Sequence, residues 1–270
     1  MQRRTFLTAA TALGGVSLGG VGSSAAVEGT ESPRVMRFYS PASQIVSDGT
    51  TLTDESIVRV WAEESAYNFD SSRGESLIYE EDPIPLVSVD NSVVGFGAML
   101  VPDGGQIGAH VNFEYGNVRV VHAIWNSLLD GETVYWDEGH NQYWSLDKFG
   151  RFAEYVTEAG FTITGTEDLS DLDNADGLVI TTPPEPFSPA ELDALSEFVD
   201  EGGALFLHDQ ADFRGLDETD NLNQIAERLD LGFRFNSDQV NDAVLNTGGE
   251  FELLTANYSR EFASTLEKLG

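Results

Sequence analysis

The chain has 270 residues, 41% of them hydrophobic and 16 of them Phe, which is enough for a sizeable packed core. Asp and Glu number 46 against 14 Lys and Arg, a formal net charge of -32, which disfavours attachment to nucleic-acid phosphates or to an anionic membrane surface. Cysteine is absent, so disulfides, thiolate metal sites, a cysteine nucleophile and a lipid-anchoring cysteine are all excluded.

The first 26 residues read as an export signal. Arg3-Arg4 is followed by Phe6-Leu7, a Gly/Ala-rich weakly apolar run and the small-residue end Ser24-Ala25-Ala26. This is similar to a twin-arginine (Tat) leader, and it predicts an extracellular or cell-surface protein. No later stretch is apolar enough to span a bilayer, so no integral membrane span is expected once the signal is removed. Lysine occurs only at positions 148 and 268. An acidic, lysine-poor surface resembles those of proteins from extreme halophiles, where molar salt screens self-repulsion.

Residues 27–50 are rich in Ser, Gly and Thr and read as a flexible linker. Residues 51–131 read as a mixed β/α segment. Within it "SIVRVWAEESAYNFD" is open between strand and helix. "IPLVSVDNSVVGFGAMLVPDGG" is a strand pair turned at Asp90-Asn91, and "NVRVVHAIWNSLLDG" has helical apolar spacing closed by Gly131. From Glu132 to Gly270 strands alternate with helices. "ETVYWDEG" is a strand, and "SLDKFGRFAEYVTEAG" is an amphipathic helix that Ser145 can cap. "FTITGT" and the apolar "GLVITTP" are strands. "FSPAELDALSEFVDEGG" opens with Ser188, Pro189 and Glu191, the spacing of a capping box, and "ALFLHDQA" is a further buried strand. Beyond it come a short helix, extended segments and a C-terminal helix. Such alternation predicts a mainly parallel, doubly wound α/β sheet with helices on both faces.

In such sheets ligands sit at the carboxyl ends of the strands. Three polar clusters fall there: Asp137, Glu138, His140, Asn141 and Gln142; Thr181, Thr182 and Glu185; and His208, Asp209, Gln210 and Asp212. His140 and His208, with Asp209, suit Zn²⁺ or a similar divalent ion, although their spacing matches no specific metal signature. Glu138 is then the general base that activates water, and Asp137, Asn141, Thr182 and Asp212 are the ligand-binding groups. The competing reading is structural: each histidine bonds its own loop, and the aromatics Trp136, Tyr143 and Trp144 are core or rim.

"YWDEGHNQYWSLDKFGRFAEYV" and "LVITTPPEPFSPAELDALSEFVDEGGALFLHD" carry a resemblance to the class I glutamine-amidotransferase-like (GATase1-like) superfamily. More narrowly they are similar to its non-amidotransferase branch of DUF4350-type, GldG-like, intraflagellar-transport-type and trehalose-utilisation-like domains. The resemblance covers residues 132 to about 250 and implies a flavodoxin-like sheet. Residues 51–131 resemble the closing half of such a domain. True amidotransferases place a cysteine after the strand that here reads "ALFLH". His208-Asp209 stands there instead, so thiol-dependent glutamine hydrolysis is excluded by composition. The expectation is an exported, non-catalytic ligand-binding or accessory module with a small-molecule or extracellular protein partner. The alternative is a metal-dependent hydrolase of sugars or other small extracellular substrates, acting through His140 and His208.

Overall fold

A computed structural model describes residues 35–70, 76–105, 108–170, 172–211 and 219–268. The expected export signal, the first part of the expected linker and Asp212 lie outside these residues. The remainder of that linker is built into the body. Met36–Tyr39 forms strand β1, Gln44–Ile45 forms β2, and Met36, Phe38 and Ala42 are fully buried. The linker expectation fails because its polar residues find distant partners. The buried Arg37 guanidinium pairs with Glu252 at 3.1 Å and donates to Asn112 and Thr247.

The open stretch that follows is extended: β3 is Val58–Trp61 and β4 is Ala66–Asp70. β5 (Pro85–Asp90) and β6 (Val93–Phe96) form the expected hairpin, with Asn91 at φ 53° in the turn. Helix α1 (Asn117–Leu128) ends three residues before Gly131, with Leu129 turning to extended backbone. β7 (Thr133–Asp137) leads into a 3₁₀ turn at Leu146–Phe149 and helix α2 (Gly150–Glu158). Ser145 does not cap that turn through its side chain, because its hydroxyl bonds the Asp147 carboxylate.

β8 (Thr162–Thr166), β9 (Gly177–Thr181), helix α3 (Pro189–Asp200) and β10 (Ala204–His208) continue the alternation. α3 starts on the expected capping box. The Glu191 amide donates to Ser188 Oγ at 3.3 Å and the Ser188 amide donates to Glu191 Oε2 at 2.7 Å. Such a cap stabilises a helix by about 1 kcal/mol. The chain then runs through α4 (Thr219–Arg228), β11 (Arg234–Phe235), β12 (Asp238–Asp242), β13 (Glu252–Thr255), β14 (Asn257–Tyr258) and α5 (Arg260–Lys268).

The result is a mixed α/β fold around an eight-stranded, mainly parallel sheet in the order β14-β3-β5-β6-β10-β9-β7-β8. The block from β6 to β8 is parallel throughout, and β5, β3 and β14 extend it antiparallel. Residues 51–131 and 132–270 therefore share one sheet. Period-two alternation splits its central strands between two cores. Val94, Trp136, Val179 and Phe206 pack with Ile124 and Trp125 of α1 and Phe152 of α2. Leu178, Ile180, Leu205 and Leu207 pack with Leu195 of α3 and Leu222 and Ile225 of α4. All five residues of β9 and of β10 are buried, as strands covered on both faces must be. Among the described residues no helix is long and apolar enough to cross a membrane.

Candidate functional site at the carboxyl ends of the strands

Asp137, Thr181 and His208 end β7, β9 and β10, so parallel pairing sets them on one edge of the sheet. The 136–144 corner is anchored first by its indoles. The Trp144 carbonyl accepts from Trp136 Nε1 at 3.0 Å and from Thr181 Oγ1 at 2.9 Å, which ties the far end of the loop to two strand ends. Gly139 passes so close to the chain after β8 that a Cβ there would lie 2.6 Å from the Glu167 carbonyl oxygen. Asn141 takes the left-handed conformation at φ 57°, which an asparagine tolerates and a branched residue does not.

The centre of the corner is the fully buried Asp137 side chain. It accepts from the Gly139 amide at 3.0 Å, from His140 Nδ1 at 2.9 Å and from Gln142 Nε2. Gln142 also donates to the Asp137 carbonyl at 2.9 Å and accepts from the His140 amide at 3.0 Å. The polar groups of Asp137, Gly139, His140 and Gln142 thus close on one another.

His140 is bonded at both ring nitrogens. Nε2 lies 3.4 Å from Glu191 Oε1, and the ring rests on Phe187 with centroids 4.0 Å apart. Burial pulls this imidazole down, but Asp137, and behind it Glu191, outweigh burial and leave it raised above its ordinary 6.5. Glu191 is held below its ordinary value first by Ser188 and then by His140. Glu138 serves as a cap: its Oε1 accepts the Leu146 amide at 3.0 Å. Its carboxylate fills the space over Gly165, where a Cβ would meet Oε2 at 2.3 Å.

His208 has a different setting. Its Nδ1 donates to the Ala98 carbonyl at 3.2 Å, and its ring stacks on Phe96 at 4.3 Å and 17°. Among the described residues no carboxylate is bonded to the ring, and burial pushes it down to about 4 against the Ala98 bond. It is a neutral imidazole at neutral pH. The Asp209 amide donates to the Phe96 carbonyl at 2.8 Å, and its Oδ2 accepts from Thr219 Oγ1 at 3.0 Å. The buried Thr182 sits at φ 23°, an unusual conformation for a β-branched residue, and its amide donates to the His208 carbonyl at 3.0 Å.

Asp137, Glu138, His140, Asn141, Thr182, His208 and Asp209 all lie at this edge or in the loops leaving it, as the sequence pattern predicts. Asp212 is outside the described residues. His140, His208 and Asp209 are not brought together as a metal centre. Among the described residues, no group of three or more His, Asp and Glu side chains is placed to hold a metal ion. The reason is local, since the bonds that fix each ring run to its own surroundings. Two participants escape the sequence reading, Glu191 and Phe187. The capping box holds one oxygen of Glu191 at the start of α3, which leaves the other for His140; its spacing reveals the cap and not the second contact.

Residues 149–263 match a family described as a domain of unknown function, DUF4350. No curated protein matches the chain. Among solved structures, the mmIFT52 N-terminal domain aligns with 36% of this chain and 43% of its own length, at 17% identity and a TM-score of 0.32. The structure of IMPa from Pseudomonas aeruginosa in complex with an O-glycopeptide aligns with 86% of this chain and 23% of its own length, at 14% identity and a TM-score of 0.39. The chain thus spans less than half the length of either structure.

Proposed function

We propose that this chain is an exported ligand-binding or accessory module with no catalytic step of its own. In this reading its sheet is the doubly wound, flavodoxin-like arrangement of the GATase1-like folds, with residues 51–131 supplying the closing half. The twin-arginine pattern and the acidic, lysine-poor composition support export by the twin-arginine pathway and a working environment of molar salt. The charge leaves a small molecule or an extracellular protein as the partner class.

One observation carries the non-catalytic reading. The groups best suited to chemistry at the strand ends are turned inward. Asp137 and His140 bond each other, Glu138 caps a turn, and His208 is a neutral ring bonded to a backbone carbonyl. A general base must reach the proton it abstracts, and a water-activating ion needs ligands that converge.

Turnover tests the reading. Protein purified in molar KCl should release no ammonia from glutamine. It should also release no chromophore from nitrophenyl glycosides or esters, with or without Zn²⁺ or Mn²⁺. Metal-stimulated hydrolysis that His140→Asn or His208→Asn abolishes would reverse it in favour of the metal-dependent hydrolase.

A further inference from the structure

β4 and β12 form a two-stranded antiparallel ribbon outside the main sheet, with Phe69 opposite Gln239 and Tyr67 opposite Asn241. Period two sorts its side chains into two faces. The inward face carries Asn68, Val240 and three acids, Asp70, Asp238 and Asp242. The outward face carries Tyr67, Phe69, Gln239 and Asn241, none of them charged. In a chain with 46 acidic residues, a ribbon with acids turned in and neutral groups turned out inverts the expected surface.

The outward face is open and ordered. Tyr67 is 41% and Phe69 39% exposed. Gln239 Nε2 donates to Asn241 Oδ1 at 2.9 Å, Asn241 Nδ2 reaches Tyr67 Oη at 3.5 Å, and the Tyr67 hydroxyl donates to Glu250. The exposed Ile78, Val244, Leu245 and Phe251 belong to the segments flanking the ribbon. Beneath, the fully buried Asp238 accepts from the Ser43 amide and hydroxyl at 2.7 Å each and from Asn68 Nδ2 at 2.5 Å. Asp242 takes the Ser65 hydroxyl and the Val244 and Leu245 amides. The platform therefore rests on a hydrogen-bonded base and has little ordering left to lose on binding.

We infer that this face binds a neutral carbohydrate chain; the inference rests on the ligand-binding reading above and gives it a location and a ligand class. Two rings two residues apart on a strand stand about 7 Å from each other along the ribbon, with the amides about 5 Å across. Aromatic faces take the C–H faces of pyranose rings. Side-chain amides supply paired donors and acceptors for neighbouring hydroxyls. The surrounding charge of -32 repels polyanions. A purely apolar partner would strand the amide capacity that the bonds to Asn241 and Tyr67 leave over, Gln239 Oε1 and the second N–H of each amide, without water.

Depletion from solution tests this. The whole protein, in molar KCl, is mixed with cellulose, chitin, cross-linked dextran or insoluble β-1,3-glucan, with carboxymethyl-cellulose and phenyl-agarose as comparison beads. At least one neutral polysaccharide should deplete it, reversibly with the matching soluble oligosaccharide. Tyr67→Ala and Phe69→Ala should each weaken binding at least about tenfold, the scale of one lost ring contact. Tyr155→Ala, an exposed ring on α2, should bind as the parent does. All variants should keep the parent's circular dichroism, since both ribbon rings point outward.

Several results would overturn the inference: retention on phenyl-agarose alone, equal retention on carboxymethyl-cellulose, or sugar retention indifferent to Tyr67 and Phe69. Self-association abolished by Tyr67→Ala would also count against it, assigning the face to a second copy. Failure here leaves the non-catalytic reading standing, because that reading is judged by turnover.

Discussion

His140 and His208 lie at one edge of one sheet and are almost equally hidden, at 5% and 3% exposure, yet their proton affinities move in opposite directions. Burial by itself disfavours the imidazolium in both. His140 overcomes it because Asp137 bonds one ring nitrogen and Glu191 faces the other. Among the described residues the His208 ring bonds a carbonyl and stacks on a phenyl ring, so burial wins and leaves it at about 4. The chemical state of a strand-end histidine is thus set by what its loop turns toward it. Here both loops turn structural partners inward, one an ion pair and the other a neutral bond.

The largest effect expected from breaking this contrast comes from Asp137→Ala. It strips the corner of the acceptor shared by Gly139, His140 and Gln142, and leaves His140 without its nearer carboxylate. Removing one partner of a buried pair costs about 3–5 kcal/mol. Urea unfolding at fixed molar KCl should show that loss, and ring-proton titration should show His140 falling below 6.5. A loss under about 1 kcal/mol would mean that the indole anchors alone hold the corner.

His208 should define the acid limit of the fold. Its folded-state value lies below the unfolded 6.5, so between those values the unfolded chain binds more protons and stability falls as the pH falls. Between 6.5 and about 4, at roughly 1.4 kcal/mol per tenfold change in proton affinity, the loss from this residue is about 3 kcal/mol. His208→Gln keeps a donor for Ala98 and cannot titrate, so its stability curve should be flatter over that window. Parallel curves would show that His208 does not set the limit.

Much of this architecture is legible in the sequence. The capping box at Ser188 and Glu191, the buried runs 177–181 and 204–208 and the clustering of His140 and His208 at strand ends all follow from local pattern. The unreadable parts depend on distant pairing. Arg37 makes residues 36–39 a strand because Glu252, far along the chain, receives its charge. "FRFNSDQV" reads as an extended segment, which leaves unseen that its Asp238 lies at the centre of a network with Ser43 and Asn68. No local period reveals a partner so remote, nor that one carboxylate both caps α3 and faces His140.

Asp238 extends the contrast to an acid. Like His208 it is buried with no opposite charge bonded to it among the described residues: burial raises it to about 7 against the pull of Ser43, Asn68 and Asn236. The unfolded value is 3.8, so the folded chain holds its proton longer and the stability from this group falls as the pH rises from about 4 to about 7. Asp238→Asn would set an amide against the Ser43 and Asn68 donors, at about 1–3 kcal/mol. Because the substituted chain lacks the titration, that cost should be largest near pH 4 and shrink toward pH 8. A cost constant with pH would mean that Asp238 keeps an ordinary carboxylate affinity inside the fold.

Glu191→Gln should have the smallest effect on stability and is the sharpest test of the comparison. Glutamine also completes a capping box at the third helical position, so α3 keeps its start. The site is partly exposed, and the loss should stay within about 0.5 kcal/mol. What changes is the charge opposite His140 Nε2. The stabilisation from His140 is complete below 6.5 and disappears as the pH rises through its raised folded value. With Glu191 neutralised that upper limit should move down, but not to the unfolded value, because Asp137 still holds Nδ1. His208 should titrate as before. Ring-proton titration of both histidines in one sample decides the matter: if both move, the two sites are coupled and the opposition between them is not local. If His140 alone moves, the second contact of the capping glutamate is part of what holds the corner charged.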